Sequence, residues 1–145
     1  MTRGSASAWC GLLLALMAST ARADPCEAIP SSGTLPAYLK TGRYFQGPVN
    51  RVLDGDSLCV ALGPSPRDWV EVRLADFYAP ELHDAGGADA RKALLRLANG
   101  RLVLCRAEKR SYDRVVATCW LNGASLGGLL RGAGVGEGGR GLSPR

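Results

Sequence analysis

Residues 70–81 read VEVRLADFYAPE, and the alternation that opens this stretch decides the fold. Val70, Val72 and Leu74 recur at every second position, the period of a strand with one buried face. Trp69, Glu71, Arg73 and Ala75 fall on the opposite face, which is turned either to solvent or to the inside of a small barrel. After Ala75 the alternation stops, and a loop over residues 77–87 carries Ala79-Pro80-Glu81.

Upstream, residues 49–53 (VNRVL) read as a strand, Asp54-Gly55 as a tight turn and residues 57–62 (SLCVAL) as the returning strand. Gly63-Pro64-Ser65-Pro66 separates that hairpin from the strand at 69–75. Downstream, residues 88–98 read as a helix with Ala90, Ala93, Leu94 and Leu97 on its apolar stripe and Asn99-Gly100 as its stop. Residues 101–107 form a fourth strand, 108–114 a polar connection and 115–121 a fifth strand ending at Asn122-Gly123. A short second helix starts at 126–130. Five short strands with a helix between the third and fourth predict an α+β, mainly β domain. The expected fold is a five-stranded OB-type β-barrel with one inserted helix and a short C-terminal helix.

The two ends of the 145-residue chain read differently from its middle. Arg3, an apolar run over 8–18 and Ala21-Arg22-Ala23 have the order of a secretory signal peptide, expected over 1–23. The apolar run is too short for the roughly 20 residues of a membrane-spanning helix, so an exported, periplasmic or secreted protein with no membrane span is expected, as a monomer. Residues 24–46, with Pro25, Pro30 and Pro36, read as an extended leader. The domain follows over 47–133, and the Gly-rich residues 134–145 read as a disordered tail.

Export makes disulfides possible. Outside the signal the cysteines are Cys26, Cys59, Cys105 and Cys119, which allow three pairings. If the fourth and fifth strands pair about Tyr112, Cys105 falls opposite Cys119 on one face. That arrangement serves either a disulfide or two packed thiols. A Cys105–Cys119 bond would leave Cys26–Cys59. There is no CxxC and no Cys/His spacing of a zinc site.

The formal charge is +5, and the positive residues cluster. Arg91, Lys92, Arg96, Arg101, Arg106, Lys109, Arg110 and Arg114 face only Glu108 and Asp113 in the same stretch, a distribution that suits a polyanion or an ordinary solvated face. Hydrolysis of a phosphodiester needs a carboxylate at the attacking water and cations that neutralise the phosphoryl oxygens. Arginine serves the second need because its forked donors match phosphate and keep their charge. Glu81, Asp54 with Asp56, and Arg73 with Arg114 are the available groups.

Three local contexts make that set specific. DGDSL follows an apolar strand at 54–58, R-L-x-x-x-x-A-P-E spans 73–81, and Y-x-R-V-V-A begins at Tyr112 with Asn122-Gly123 after it. In that order, over about 47–133, they resemble the staphylococcal nuclease (thermonuclease-like) family. The resemblance implies an endonuclease on a five-stranded OB-type barrel that cleaves DNA or RNA with calcium. Carried over by position, Arg73, Glu81 and Arg114 would be catalytic. Asp56 would bind the metal, with Asp54 and the Ala79 backbone carbonyl assisting, and Tyr112 would meet a substrate phosphate. The chain departs from the pattern where an aspartate is expected three residues before the glutamate: it has Tyr78, a poorer ligand for a hard cation. Arg110 and Asp113 replace an acid and a glycine around Tyr112. The alternative is a non-catalytic nucleic-acid- or protein-binding OB module with a decayed metal site. His83, the only histidine, reads as an exposed loop residue.

Overall fold

The computed structural model describes residues 24–138. The expected signal peptide at 1–23 and residues 139–145 lie outside the described residues. The elements in chain order are β1 (Tyr44–Val52), β2 (Ser57–Ala61), β3 (Trp69–Leu74), α1 (Gly87–Ala98), β4 (Leu102–Ser111), β5 (Arg114–Leu121), β6 (Ala124–Ser125) and α2 (Leu126–Gly132). Neighbouring strands run β3-β2-β1-β4-β5-β6, and a parallel β3–β5 pairing closes the five long strands into a barrel. The architecture is the expected OB-type barrel, mainly β, with the two helices in the expected places.

The alternation in β3 sets what faces inward. Val70, Val72 and Leu74 are fully buried, with Leu58 and Val60 of β2 and Val115 and Ala117 of β5 around them. Burying each such side chain contributes about 1.5–3 kcal/mol, whereas an exposed ion pair contributes about 0–1 kcal/mol. A one-residue slip of β3 would therefore cost far more than any pairing of Arg73 could return. Arg73 stays on the outer wall of the barrel. Helix α1 closes the barrel with Ala90, Ala93, Leu94 and Ala98, all buried.

Three boundaries differ from the sequence reading. β1 begins at Tyr44, inside the expected leader, because residues 44–48 find partners in β4 at 102–106, a contact invisible locally. β4 runs on to Ser111 through what reads as a polar connection. A bulge between Ala107 and Lys109 keeps it paired with β5, and only Tyr112-Asp113 remain as the turn. The described part of the expected tail is tied down: the Tyr78 N–H donates to Glu137 Oε1 at 3.1 Å, and the Gly138 N–H donates to the Tyr78 carbonyl at 3.0 Å.

Both disulfides are present. Cys105 lies directly opposite Cys119 across β4–β5, and Cys26 is joined to Cys59 of β2, which pins the leader against the outer wall. Between Cys26 and β1 the leader has only one turn of 3-10 helix, Ala37–Leu39, with Leu39 and Ile29 buried. Two disulfides suit an oxidising compartment. Among the described residues no helix is long and apolar enough to cross a membrane.

Candidate functional site

The site is built from the β1–β2 turn upward. Asp54 Oδ1 accepts the Asp56 N–H at 3.0 Å, so the turn supports itself with its own side chain. Gly55 sits where a methyl group would fall 2.5 Å from Ala79 Cβ and 2.6 Å from Ala90 Cβ. Only glycine allows the turn to press against both the 77–81 loop and helix α1. That contact lets Asp56 Oδ2 accept the Ala79 N–H at 2.9 Å, and Ser57 Oγ donates to its other oxygen at 3.4 Å. The DGDS turn and the APE loop, distant in sequence, are thus one unit.

Arg73 joins this unit from β3. Its register partner is Ser57, which brings Arg73 Nη2 within 3.9 Å of Asp56 Oδ2. Glu71 pairs with Arg114, Nη1 to Oε1 at 3.8 Å. The parallel register Val72↔Val115 and Arg73↔Val116 explains this: Glu71 and Arg73 on β3 share the outer face with Arg114 and Val116 on β5. Arg114 Nε is buried without a hydrogen-bond partner.

Both acids are perturbed upward. Burial pushes Asp56 to about 6, and the adjacent Asp54 adds to the rise while the Ala79 N–H and Arg73 oppose it. Burial pushes Glu71 to about 7, with Asp24 of the leader adding and Arg114 opposing.

Glu81 is half-buried just ahead of α1. Its carbonyl accepts the Asp84 N–H at 2.9 Å, and a methyl on Gly87 would fall 1.9 Å from that oxygen, so the glycine lets the loop close on the helix. Gly86 is the helix N-cap. Beside the turn a cleft of about 770 Å³ opens between the leader and α1, lined in part by Asp24, Leu53, Leu82, Arg51, Arg91 and Lys92. Arg91 also donates to the Leu53 and Val52 carbonyls at 3.1 and 3.2 Å, fixing the base of the turn. Leu53 and Leu82, which line the cleft, are the chain neighbours of Asp54 and Glu81.

Tyr112 stands apart from these groups. It is 81% exposed at the β4–β5 turn, with a left-handed backbone at φ 58°. His83 is exposed as expected. Asp76 lies against α2, where a methyl on Gly127 would fall 2.6 Å from its carboxyl group, and its Oδ1 is buried without a partner.

For a hard cation the donor set around Asp56 is sparse. Asp54 and Asp56 are crowded enough to raise Asp56, which a dication would relieve. Tyr78 contributes no carboxylate, and both of its backbone groups bond to the tail. Ala79 presents its N–H, not its carbonyl, to Asp56. The residues present fit a weak cation site completed mainly by water. Among the described residues, the trio of ligand atoms within 4.8 Å of one another is Asp24, Cys26 and Glu71, and Cys26 is committed to its disulfide.

Sequence reasoning did not give Glu71 a place in the site. Its position two residues before Arg73, on the same face, was the available signal. Arg91, read only as part of a basic stretch, gave no sign of its structural role.

No family profile matches the chain. Two curated proteins are similar to it. Protein ParB of Escherichia coli is 38% identical over 79 residues, covering 54% of this chain and 43% of that protein. Micrococcal nuclease of Shigella flexneri is 37% identical over 71 residues, covering 49% of this chain and 39% of that protein. The chain spans less than half the length of either relative. About half of it is therefore nuclease-like in sequence, on an OB-type barrel.

Proposed function

We propose that the protein is an exported endonuclease of the thermonuclease type, hydrolysing phosphodiester bonds of DNA or RNA. The observation that carries this reading is the outer wall formed by β3 and β5. Arg73 and Arg114 share one face of two paired strands, with the Asp54–Asp56 turn against Arg73. The similarity to a micrococcal nuclease over about half the chain supports it, as do the cations in the adjoining cleft.

In this reading Arg73 and Arg114 hold the phosphoryl oxygens, where charge grows as the bond breaks. Asp56 stands 3.9 Å from Arg73 and Glu71 3.8 Å from Arg114, separations long enough for a phosphate to compete for the guanidinium. Glu81 orients the attacking water and takes its proton. Asp56, helped by Asp54, is the calcium ligand, and calcium when bound would add Lewis-acid neutralisation of the phosphate. Tyr112 contacts the strand away from the scissile bond. Tyr78 favours a second reading, a binding module that holds nucleic acid without turnover.

The test is hydrolysis of single-stranded DNA and of RNA by the purified protein with calcium, with other divalent ions and with chelator, beside Glu81→Gln. Calcium-dependent cleavage that disappears in the variant is expected. Cleavage that needs Glu81 yet survives chelator would remove calcium from the proposal. Folded protein that cleaves neither polymer in any condition would leave the binding module.

A further inference from the structure

Away from the Asp56 turn, the outer wall of the barrel continues as an uncovered sheet. The β1–β4 register sets Tyr44 opposite Arg106 and Gln46 opposite Leu104. The β4–β5 register sets Arg106 opposite Thr118 and Leu104 opposite Trp120. These positions alternate with the buried Phe45, Cys105 and Cys119, so they face outward. Tyr44 is 59% exposed, Leu104 41% and Leu102 60%, and with the half-buried Trp120 opposite Leu104 they form a contiguous apolar and aromatic patch.

The bulge in β4 matters here. Arg106 and Lys109 are an odd number of residues apart and would point to opposite faces of a regular strand. The extra residue at Glu108 restores parity, so Lys109 pairs with the outward Val116 while Arg106 pairs with the outward Thr118. Glu108 itself is turned to Thr118, whose hydroxyl donates to its Oε1 at 2.8 Å. The result is that Arg73 of β3 and Lys109 of β4 flank Val116 of β5, and Arg106 continues the cations along β4 toward two aromatic side chains. Arg114 and Trp120 mark the two ends of this line along β5, about 20 Å apart.

We infer that this face is a second nucleic-acid site, one that takes the single-stranded polyanion running away from Arg114. Its bases would stack on Trp120 and Tyr44, and its phosphates would meet Lys109 and Arg106. Charge complementarity selects the occupant: Arg106 and Lys109 of β4 and Arg114 of β5 lie on the same face as the rings of Trp120 on β5 and Tyr44 on β1. That combination holds single strands without base preference, and an OB-type barrel covers about 4–16 nucleotides. The inference rests on the nucleic-acid reading of the protein but not on turnover.

The experiment uses the full chain carrying Glu81→Gln, so that binding is read without cleavage. Anisotropy of labelled thymidine oligonucleotides of about 4 and about 12 nucleotides is measured over a salt series. The longer strand is expected to bind at least tenfold more tightly and to quench tryptophan emission, and the quench should be lost with Trp120→Phe. Arg106→Glu with Lys109→Glu is expected to abolish the length advantage and to lower the log–log salt slope by about 2. Circular dichroism would show each variant folded. Equal affinity for both lengths, or a length advantage untouched by the double charge reversal, overturns the inference. So does self-association of the protein that Leu104→Ser abolishes while nucleic-acid affinity holds, since the face would then be a contact between copies of the chain. Loss of nuclease activity alone changes none of these readouts, so the two proposals fail separately.

Discussion

Two corners of the same barrel wall carry an arginine beside an upward-shifted acid, and they are built in opposite ways. At the first, Asp56 and Arg73 approach to 3.9 Å, and the acid is also gripped by the Ala79 N–H and touched by Ser57. The grip comes from chain segments inside the barrel domain. At the second, Glu71 and Arg114 approach to 3.8 Å, and Glu71 is raised by burial and then by Asp24, brought by the disulfide-pinned leader, with Asp113 and Asp54 adding. The difference teaches that strand register places both arginines, while only the second acid also answers to a segment laid over the wall. A phosphate arriving at Arg73 competes with a carboxylate that has backbone support. One arriving at Arg114 competes with a carboxylate that burial already disfavours as a charge.

The largest effects should fall on the arginines themselves. Arg73→Ala and Arg114→Ala should each slow cleavage by about 10²–10³-fold, the usual size for losing one charge-stabilising donor. Single-turnover rates on DNA would check this, and losses under tenfold at both positions would sink the catalytic assignment. Next is the leader. Cys26→Ser with Cys59→Ser opens a loop of 33 residues and should cost about 3–4 kcal/mol of stability. If the leader positions only the second corner, the residual folded protein should keep its response to Arg73→Ala, measured as the ratio of cleavage rates in the two backgrounds.

Gly55→Ala should strike the first corner alone. Forcing a methyl into the contact with Ala79 and Ala90 should cost about 1–3 kcal/mol, read by urea melts, and should weaken the hold on Asp56. Unchanged stability would mean the turn is less tightly seated than its contacts indicate.

The smallest effect is a pH signature of the second corner. Glu71 in the folded state sits at about 7, above its ordinary value near 4.5. The folded protein therefore holds this proton more tightly than the unfolded chain does. Its stabilisation is fully present below the unfolded value and is lost as pH rises through about 7. Glu71→Gln lacks this loss. Relative to the original protein, the variant should thus gain about 1–2 kcal/mol between pH 5 and 8, a figure reduced for solvent screening at a partly open site. Melts of both proteins across that range would test it, and a flat difference would show that Asp24 and burial do not act on Glu71 as described.

Much of this molecule was legible in its sequence because the signals are local. Period-two alternation in 70–74, the Asp54-Gly55 turn and the Ala90–Leu97 stripe each report on neighbours a few residues away. They sufficed for the barrel, for placing Arg73 on the face opposite Val70, Val72 and Leu74 and, through strand parity, for the Cys105–Cys119 contact; that this face is the outer one was decided by the closed barrel. Tertiary structure alone decided the partners. Arg73 meets Asp56 because β2 and β3 register Ser57 with Arg73, and Arg114 meets Glu71 because β5 closes the barrel in parallel against β3. The start of β1 at Tyr44, the bulge at Glu108 and the docking of 134–138 on Tyr78 are likewise contacts between segments far apart in the chain. Such contacts leave no period in the sequence. They are fixed by the requirement that every buried backbone group find a partner once the barrel has closed.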